Sequence, residues 1–192
     1  IDPIDVSSFG LYEREFKQRY QNLVNSKPEL FFLSNSYAYY INGVGQVLAL
    51  TSSYVEPLYL YTGADRIQKL NQFNSYTQKI INKIPPGVSD VEKALFVFDF
   101  FTINFSYSPS NNYNYSPYWL FMGKEGVCQA YALGYEYVMQ KLGIPVTFVS
   151  SPYQLSDGSY GMNHAWIQIF VDGSWYHVDP TWGDPGASSS VP

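Results

Sequence analysis

Three residues of this chain have side chains that could together perform nucleophilic catalysis: Cys128, His164 and Asp179. Cys128 is the only cysteine in 192 residues, and His164 is one of two histidines. A thiol becomes a strong nucleophile when a neighbouring imidazole takes its proton, and a carboxylate can orient that imidazole. The order Cys, His, Asp therefore predicts a Cys-His-Asp nucleophilic site.

Cys128 is predicted to lie at the start of a helix. Apolar positions on one side, at spacings of three and four, continue from it to Leu142, and Gly143 ends the pattern. The free N–H groups of a helix N-terminus favour a thiolate and could also bind the oxyanion of a tetrahedral intermediate. Gly126 permits close backbone approach before the cysteine, although no Ser, Thr or Asp cap stands directly in front of Cys128.

The histidine and the aspartate are predicted to lie on one β-hairpin. If residues 172–173 form a two-residue turn, counting outward places Trp166 opposite Asp179. His164 and Asp179 are then diagonal neighbours on one face, about 7–8 Å apart between backbones and within side-chain reach. The residues expected on this face are His164, Trp166, Gln168, Trp175, His177 and Asp179.

Each of these residues also has a structural interpretation. A single cysteine is commonly a small buried apolar side chain, and a single histidine on a strand is commonly structural. His177 is on the same face but further along the hairpin, away from the place toward which the His164 side chain points. It is therefore interpreted as structural. One cysteine and two histidines lack the spacing of zinc ligands, and neither a metal nor another cofactor is predicted. The coincidence of a helix-start cysteine with a histidine diagonal to an aspartate favours catalysis.

The composition limits the class of partner. Hydrophobic residues make up 46% of the chain, and the net charge is −5 with only 11 Lys and Arg residues. A core is therefore expected, whereas a nucleic-acid partner, which needs a basic face, is not. No apolar stretch reaches the roughly 18–20 residues that cross a bilayer, so no membrane insertion is expected. The 19 tyrosines and few lysines are compatible with a secreted or cell-surface protein.

The remaining patterns predict helices and one further hairpin. Ser89 and Glu92 form a capping-box pattern that begins the clearest helix, and Asn42-Gly43 is predicted to form a type I′ hairpin turn. We expect an N-terminal helical and hairpin extension packed on the core at 1–88, a catalytic core at 89–185 and a tail or linker at 186–192. The other predicted segments are a helix at 11–25, strands at 37–41 and 44–55, a helix at 65–84, a loop at 106–117, a strand at 146–149 and a loop at 150–161.

Three segments resemble the transglutaminase-like superfamily of papain-type thiol enzymes, in its bacterial extracellular or cell-surface form. They are residues 126–132, residues 163–166 (Asn-His-Ala-Trp) and residues 175–184 (Trp-Tyr-His-Val-Asp-Pro-Thr-Trp-Gly-Asp). The helix after Ser89 also looks like the family's segment before the cysteine, but Phe98 stands where a histidine usually precedes the aspartate. That departure concerns the supporting helix and not the three reactive groups.

The resemblance implies an α+β fold in which a cysteine-bearing helix packs on an antiparallel sheet that carries the histidine and the aspartate. It implies Cys128 as nucleophile, His164 as general base and acid, and Asp179 as the group that orients the imidazole. It also implies a protein or peptide substrate and neighbouring domains in a longer surface protein. An aromatic or amide side chain often completes the oxyanion hole in relatives, and the candidates for oxyanion or substrate contacts are Tyr118, Trp119, Gln129 and Trp166.

Two outcomes of the chemistry and one rival function stay open. Water would resolve an acyl-enzyme as a peptidase or amidase, and a lysine amine would resolve it as a protein cross-linking transglutaminase. Hydrolysis is favoured slightly, because one small domain has no obvious module for a second substrate. The rival is a catalytically inactive surface-binding module whose tyrosine-rich face and 106–117 loop bind carbohydrate or protein.

Overall fold

The computed structural model describes residues 3–109, 114–154 and 160–184. It divides into two compact units, Ile1–Leu70 and Asn71–Pro192. The predicted tail at 186–192 and residues 110–113 of the predicted loop lie outside the described residues, and the predicted domain boundary at residue 88 stays a prediction. No helix in the described part of the chain combines the length and the apolar character needed to cross a membrane.

The first unit packs one helix against a small antiparallel sheet. Helix α1 (Glu13–Ser26) follows strand β1 (Ile4–Asp5), and strands β2 (Tyr37–Ile41) and β3 (Val47–Ser52) form a hairpin, with sheet order β1-β3-β2. This is the predicted N-terminal helix and hairpin. The buried core of the unit consists of Val6, Phe16, Tyr20, Val47, Leu50 and Leu58.

The turn of this hairpin differs from the prediction. Neither Asn42 nor Gly43 has a positive φ angle, so the type I′ assignment is wrong, and the left-handed residue is Gly45 at φ 84°. The Asn42 side-chain oxygen accepts the N–H groups of Val44 at 3.1 Å and Gln46 at 2.9 Å. Because this side chain satisfies two loop amides, it stabilises a longer connection than the two-residue turn.

The second unit is built around one enclosed helix. Helix α5 (Cys128–Leu142) is buried at every position from Cys128 to Met139, and Gly143 ends it at φ 74°. The predicted one-sided apolar stripe therefore understates the burial, since a helix that is enclosed all round is a core helix. The helices before it are α2 (Gly63–Ile81), which contains the division between the units, α3 (Asp90–Asn104) and α4 (Pro117–Gly123).

Helix α3 begins at the predicted capping box. The Ser89 hydroxyl accepts the Glu92 N–H at 3.3 Å, and the Ser89 N–H donates to the Glu92 carboxylate at 2.8 Å. These two bonds satisfy amides that a helix N-terminus otherwise leaves unpaired. Along its inner face α3 buries Ala94, Val97 and Phe101.

A three-stranded antiparallel sheet covers α5. Its strands are β6 (Val146–Gln154), β7 (Tyr160–Val171) and β8 (Ser174–Val178), in the order β6-β7-β8. Val171 pairs with Ser174 across a turn in which Asp172 (φ 48°) and Gly173 (φ 78°) are both left-handed, so the predicted two-residue turn is confirmed. The predicted loop at 150–161 is instead strand as far as Gln154 and again from Tyr160. The α+β class predicted from the sequence is confirmed.

Three short elements were not predicted. They are helix α4 and two strands that pair in parallel, β4 (Ser106–Tyr107) and β5 (Glu125–Gly126). In this pair Tyr107 lies opposite Gly126. The two strands are too short to carry a hydrophobic period, so their pairing is visible only in three dimensions. They bring residues ahead of α4 next to the start of α5.

Candidate active site

Cys128 is the first residue of α5, as predicted. Val127 is the N-cap residue, and its side chain makes no capping hydrogen bond, so backbone N–H groups of the first turn are left available. The Val127 N–H donates to the Asn114 carbonyl oxygen at 2.9 Å, which fixes the chain entering the helix. The cysteine is 8% exposed. The thiol therefore lies at the positive end of the helix dipole, close beneath the surface.

Position 126 requires a glycine, because other atoms of the protein lie very close to its backbone. A Cβ atom at Gly126 would lie 2.9 Å from Ala130 Cβ and 3.1 Å from the Asn114 carbonyl oxygen. One neighbour is a Cβ on helix α5 and the other is a backbone carbonyl, so neither is the end of a flexible side chain, and a side chain here would displace the helix start. The glycine two residues before the cysteine thus has a packing function.

His164 and Asp179 are in direct contact. The ring Nε2 of His164 lies 2.6 Å from Oδ2 of Asp179. The other carboxylate oxygen accepts the backbone N–H groups of Thr181 at 3.1 Å and Trp182 at 3.3 Å. Because an ionised carboxylate only accepts, Nε2 carries the hydrogen, and Nδ1 is left as the ring atom for a second partner.

The second partner of the imidazole is the thiol. The pKa of His164 is raised from 6.5 to about 9, chiefly by the hydrogen bond to Asp179 and next by a hydrogen bond to Cys128, while burial opposes the rise. Both partners favour the charged ring, which outweighs its desolvation. The structure thus brings together all three residues that the sequence singles out.

A bulge in the sheet aims the histidine. The pairing of β6 with β7 shifts between Ser151, which pairs with His164, and Pro152, which pairs with Met162. Asn163 is therefore an extra residue on β7. Bulges bend a strand and redirect side chains, and they are frequent beside active sites. The bulge lies next to His164 and was not predicted from the sequence.

Trp166 and His177 lie where the hairpin register predicts. Trp166 stacks on the His164 ring, with centroids 5.7 Å apart and planes 22° apart, and its indole N–H donates to His177 Nδ1 at 2.7 Å. The Gln168 amide contacts His177 Nε2 at 2.9 Å. Trp166 donates to Nδ1, and the Gln168 amide nitrogen is the atom that lies next to Nε2. His177 supports Trp166 and makes no recorded contact with the thiol.

The predicted oxyanion candidates have different surroundings. The Tyr118 hydroxyl donates to Gln72 Oε1 at 2.7 Å, and the Tyr118 ring packs edge-on against Trp119 with centroids 5.4 Å apart. Gln129 is the second residue of α5 and is buried. Because the Tyr118 hydroxyl is directed to α2, the geometry does not favour it as an oxyanion donor, and the roles of Trp119 and Gln129 stay predictions.

Tyr107 is a candidate that the sequence reasoning missed. Strand pairing places it opposite Gly126, and the pKa of its phenol is raised by burial first and by the nearby Cys128 second. A raised pKa keeps the hydroxyl protonated, so it can donate a hydrogen bond beside the sulfur. Only the parallel pairing of β4 with β5 reveals this neighbour, because 21 residues separate it from the cysteine.

Asp184 connects Tyr107 to the cysteine helix. One oxygen of this buried carboxylate accepts the Tyr107 N–H at 3.0 Å and the hydroxyl of Tyr131, one turn into α5, at 2.8 Å. Gly183, next to it, lies so close to α3 that a Cβ would meet the Phe98 ring at 2.4 Å. The segment after β8 thus holds Asp179 toward the imidazole and Asp184 toward β4 and α5.

Within the described ranges no group of three or more His, Cys, Asp or Glu side chains could hold a metal ion. The described site combines a thiol at a helix N-terminus, an imidazole whose pKa that thiol helps to raise, a carboxylate that contacts the imidazole and a phenol nearby. These groups can generate a thiolate, attack a carbonyl carbon and stabilise the resulting oxyanion.

Comparison with known proteins gives a family and several similar structures. The model of the transglutaminase-like superfamily matches residues 74–180, more than half of the chain and including Cys128, His164 and Asp179. No curated protein matches the chain.

Similar solved structures include a proposed cysteine protease from Cytophaga hutchinsonii, at 17% identity and TM-score 0.46, covering 78% of this chain and 63% of that one. A structure described as a TGase has 12% identity and TM-score 0.46, covering 76% and 43% of the two chains. The periplasmic domain of TgpA from Pseudomonas aeruginosa has 13% identity and TM-score 0.43, covering 79% and 64%. The chain thus spans less than two thirds of the length of each.

The family model matches the segment that contains Cys128 and the contact between His164 and Asp179. The chain belongs to the transglutaminase-like superfamily, whose members are generally cysteine-type enzymes.

Proposed function

We propose that this protein is a thiol-dependent hydrolase of amide bonds in proteins or peptides, with Cys128 as nucleophile, His164 as general base and acid, and Asp179 as positioning residue. The observation that carries the proposal is the His164 imidazole, whose Nε2 contacts Asp179 and whose pKa is raised first by that carboxylate and next by Cys128. A merely buried cysteine needs no such partner. The raised pKa of the imidazole means that the ring is readily protonated, as a group that takes the thiol proton must be.

The first half of the reaction forms an acyl-enzyme. The thiol proton moves to the imidazole, and the Cys128 sulfur attacks the carbonyl carbon, whose oxygen takes the negative charge. Backbone N–H groups at the start of α5 and the Tyr107 hydroxyl are suitably located to donate to that oxygen. The His164 ring then gives its proton to the departing amine, the C–N bond breaks, and a thioester remains on Cys128.

The second half releases the acyl group. A water molecule attacks the thioester carbon while His164 takes its proton, the C–S bond breaks, and a carboxylic acid leaves the regenerated thiol. If a lysine amine replaced the water, the product would be a new amide, which is protein cross-linking. Both reactions use the same three residues, so the choice between them depends on which acceptor reaches the thioester.

A direct competition distinguishes the two acceptors. A glutamine-bearing peptide is incubated with the protein and an excess of a labelled primary amine, and mass spectrometry follows both products. We expect ammonia or new peptide termini to appear faster than the labelled amide. Amine incorporation that outpaces hydrolysis would replace the hydrolase with a cross-linking enzyme, and the same Cys128→Ser variant should abolish either activity.

Thiol reactivity tests the proposal against an inactive binding module. At neutral pH iodoacetamide should alkylate Cys128 faster than a free thiol, and His164→Gln should slow the reaction, because an imidazolium stabilises the thiolate. His177→Gln is the matched control, since it removes the other histidine. Alkylation no faster than that of a free thiol, and insensitive to His164→Gln, would favour the module. A secreted or cell-surface location stays a prediction.

A further inference from the structure

We propose that the first unit of the chain binds a free aliphatic anion, a single hydrocarbon chain that ends in a carboxylate, in a cavity lined by apolar residues and two arginines. The cavity lies wholly within residues 4–66 and has a volume of about 540 Å³. This volume is in the range of ordinary small-molecule sites. The proposal is independent of the thiol chemistry of the second unit.

The walls of this cavity are apolar. Helix α1 contributes Phe16, Tyr20 and Leu23, strand β3 contributes Leu50, and Phe32 is also part of the lining. A hydrocarbon chain placed there would leave water for apolar contacts, which is the main source of affinity for such a ligand. The rim is open to solvent, since Leu23 is 45% exposed. A ligand can therefore enter from the surface.

The polar side chains that line the cavity are two arginines and two tyrosines, Arg19, Arg66, Tyr20 and Tyr59, and the other lining residues are apolar. The Tyr20 hydroxyl already donates to the Ser34 carbonyl oxygen at 2.7 Å. A peptide would bring backbone N–H and C=O groups into these walls, and burying them unpaired is costly. A hydrocarbon chain carries no such groups. The lining thus favours a ligand with a hydrocarbon chain over a peptide.

Two of the three arginines of the chain line this cavity, Arg19 and Arg66. Arg19 is on the same face of α1 as Phe16 and Leu23, because these positions are three and four residues apart. Arg66 is half-buried, with its guanidinium 5.1 Å from the centre of the Phe32 ring. Both guanidinium groups thus belong to residues that line the apolar cavity, where the carboxylate end of a bound hydrocarbon would lie.

The charge of the lining selects the head group of the ligand. No carboxylate belongs to the described residues that line the cavity, so its charged side chains are both positive. Arg19 pairs with Glu15 at 2.8 Å, but both side chains are about half exposed or more, and a surface pair of this kind is worth little and can exchange. Guanidinium groups bind carboxylates through paired charge-assisted hydrogen bonds. An anion is therefore the complementary head.

Calorimetric titration of the full chain with sodium dodecanoate, below its micelle concentration at pH 8, tests the proposal. Calorimetry is preferred to tryptophan fluorescence, because the four tryptophans, at positions 119, 166, 175 and 182, all lie outside this unit. We expect one molecule to bind per chain, and the Arg19→Gln/Arg66→Gln variant to bind about tenfold more weakly or worse, as loss of charge-assisted hydrogen bonds requires. Arg14→Gln is the matched control, since Arg14 is exposed on the same helix and outside the cavity; it should bind like the wild type.

A second pair of variants, at Leu23, separates loss of binding from loss of folding. Leu23→Glu puts a negative charge on the exposed rim and should abolish dodecanoate binding, whereas Leu23→Gln should keep most of it, with the melting temperature of each measured alongside. Equal affinity for dodecyltrimethylammonium would overturn the anion assignment, as would equal weakening by Arg14→Gln. Flotation with phosphatidylglycerol vesicles but no dodecanoate binding would mean that the arginines recognise a membrane surface, which also contradicts the proposal.

Discussion

His164 and Asp179 are joined by a 2.6 Å contact from Nε2 to Oδ2, although 15 residues separate them in the chain. The second oxygen of the same carboxylate is held by the backbone of Thr181 and Trp182. The carboxylate therefore cannot turn away from the imidazole without losing the turn that follows β8. This anchoring holds the carboxylate against Nε2, so that nitrogen keeps its hydrogen and Nδ1 is left as the ring atom for a second partner.

Asp179→Asn should lower kcat by between about 10² and 10⁴, the usual contribution of correctly positioned acid–base catalysis. Asparagine keeps an oxygen for the Thr181 and Trp182 amides, so the turn should persist, but it removes the negative charge that favours the imidazolium. Steady-state kinetics on a peptide substrate checks the loss, and circular dichroism checks the fold. If the variant unfolds instead, Asp179 is a structural residue and the positioning role is wrong.

The ring of His164 should titrate near pH 9, because Asp179 and Cys128 raise its pKa to about 9. The chain has only two histidines, so two imidazole signals are expected in NMR spectra, and His177→Gln assigns them. In Asp179→Asn the His164 transition should move to lower pH, since the largest cause of the rise is removed. A His164 signal that titrates near 6.5 in the wild type would show that the imidazole has neither partner in solution.

The same shift should make stability fall with pH. The folded pKa of His164 lies above its unfolded value of 6.5, so the folded state binds more protons between pH 6.5 and 9, and this stabilisation is lost as pH rises through about 9. Lys124 opposes the trend, because burial lowers its pKa to about 8. Urea unfolding at pH 6.5, 8 and 9.5 should therefore be compared between wild type and Asp179→Asn, in which Lys124 is unchanged. The fall should be steeper in the wild type, and parallel curves would contradict the linkage.

Tyr107→Phe should lower kcat by roughly ten- to a thousandfold with little change in KM, because the lost hydroxyl would act on the oxyanion and not on the ground-state carbonyl. Tyr118→Phe is the control, since its hydroxyl donates to Gln72. That variant should lose about 1 kcal/mol of stability and keep most of its turnover. If the two variants exchange these effects, the oxyanion donor is Tyr118, one of the four candidates that the sequence offered.

Gly183→Ala should impair both stability and activity. The new Cβ would lie 2.4 Å from Phe98 Cζ and 2.7 Å from Thr102 Cγ2, so the segment between Asp179 and Asp184 must shift away from α3. Overpacking of this kind costs about 1–3 kcal/mol. Gly43→Ala is the control, because it meets no atom within 4 Å and Gly43 has no positive φ angle. Thermal melting and kcat measured on both variants check the difference, and an unchanged kcat in Gly183→Ala would mean that the segment does not position Asp179.

The sequence was most informative where spacing determines geometry. The Asp172-Gly173 turn fixes the register of its hairpin, and that register alone places His164, Trp166 and Asp179 on one face. The capping box at Ser89 likewise fixes the start of α3, because its signal is contained within four residues. In both cases the pattern is local, so tertiary packing has little opportunity to override it.

The features that could not be predicted depend on contacts between distant segments. Tyr107 meets the cysteine turn through two strands of two residues each, which no periodicity can signal. The bulge at Asn163 exists only relative to β6. The Asn42 turn was wrong for a different reason, since the asparagine side chain stabilises its own longer loop. Local motifs therefore identified the reactive groups, and long-range pairing determined what surrounds them.

Asp184 places a single oxygen atom between a strand and a helix: Oδ2 accepts both the Tyr107 amide and the Tyr131 hydroxyl. The strand that carries the Tyr107 phenol and the helix that carries Cys128 consequently share one reference point. Thermal displacements of the two parts must then be correlated, so the gap between sulfur and phenol varies less than either position does on its own.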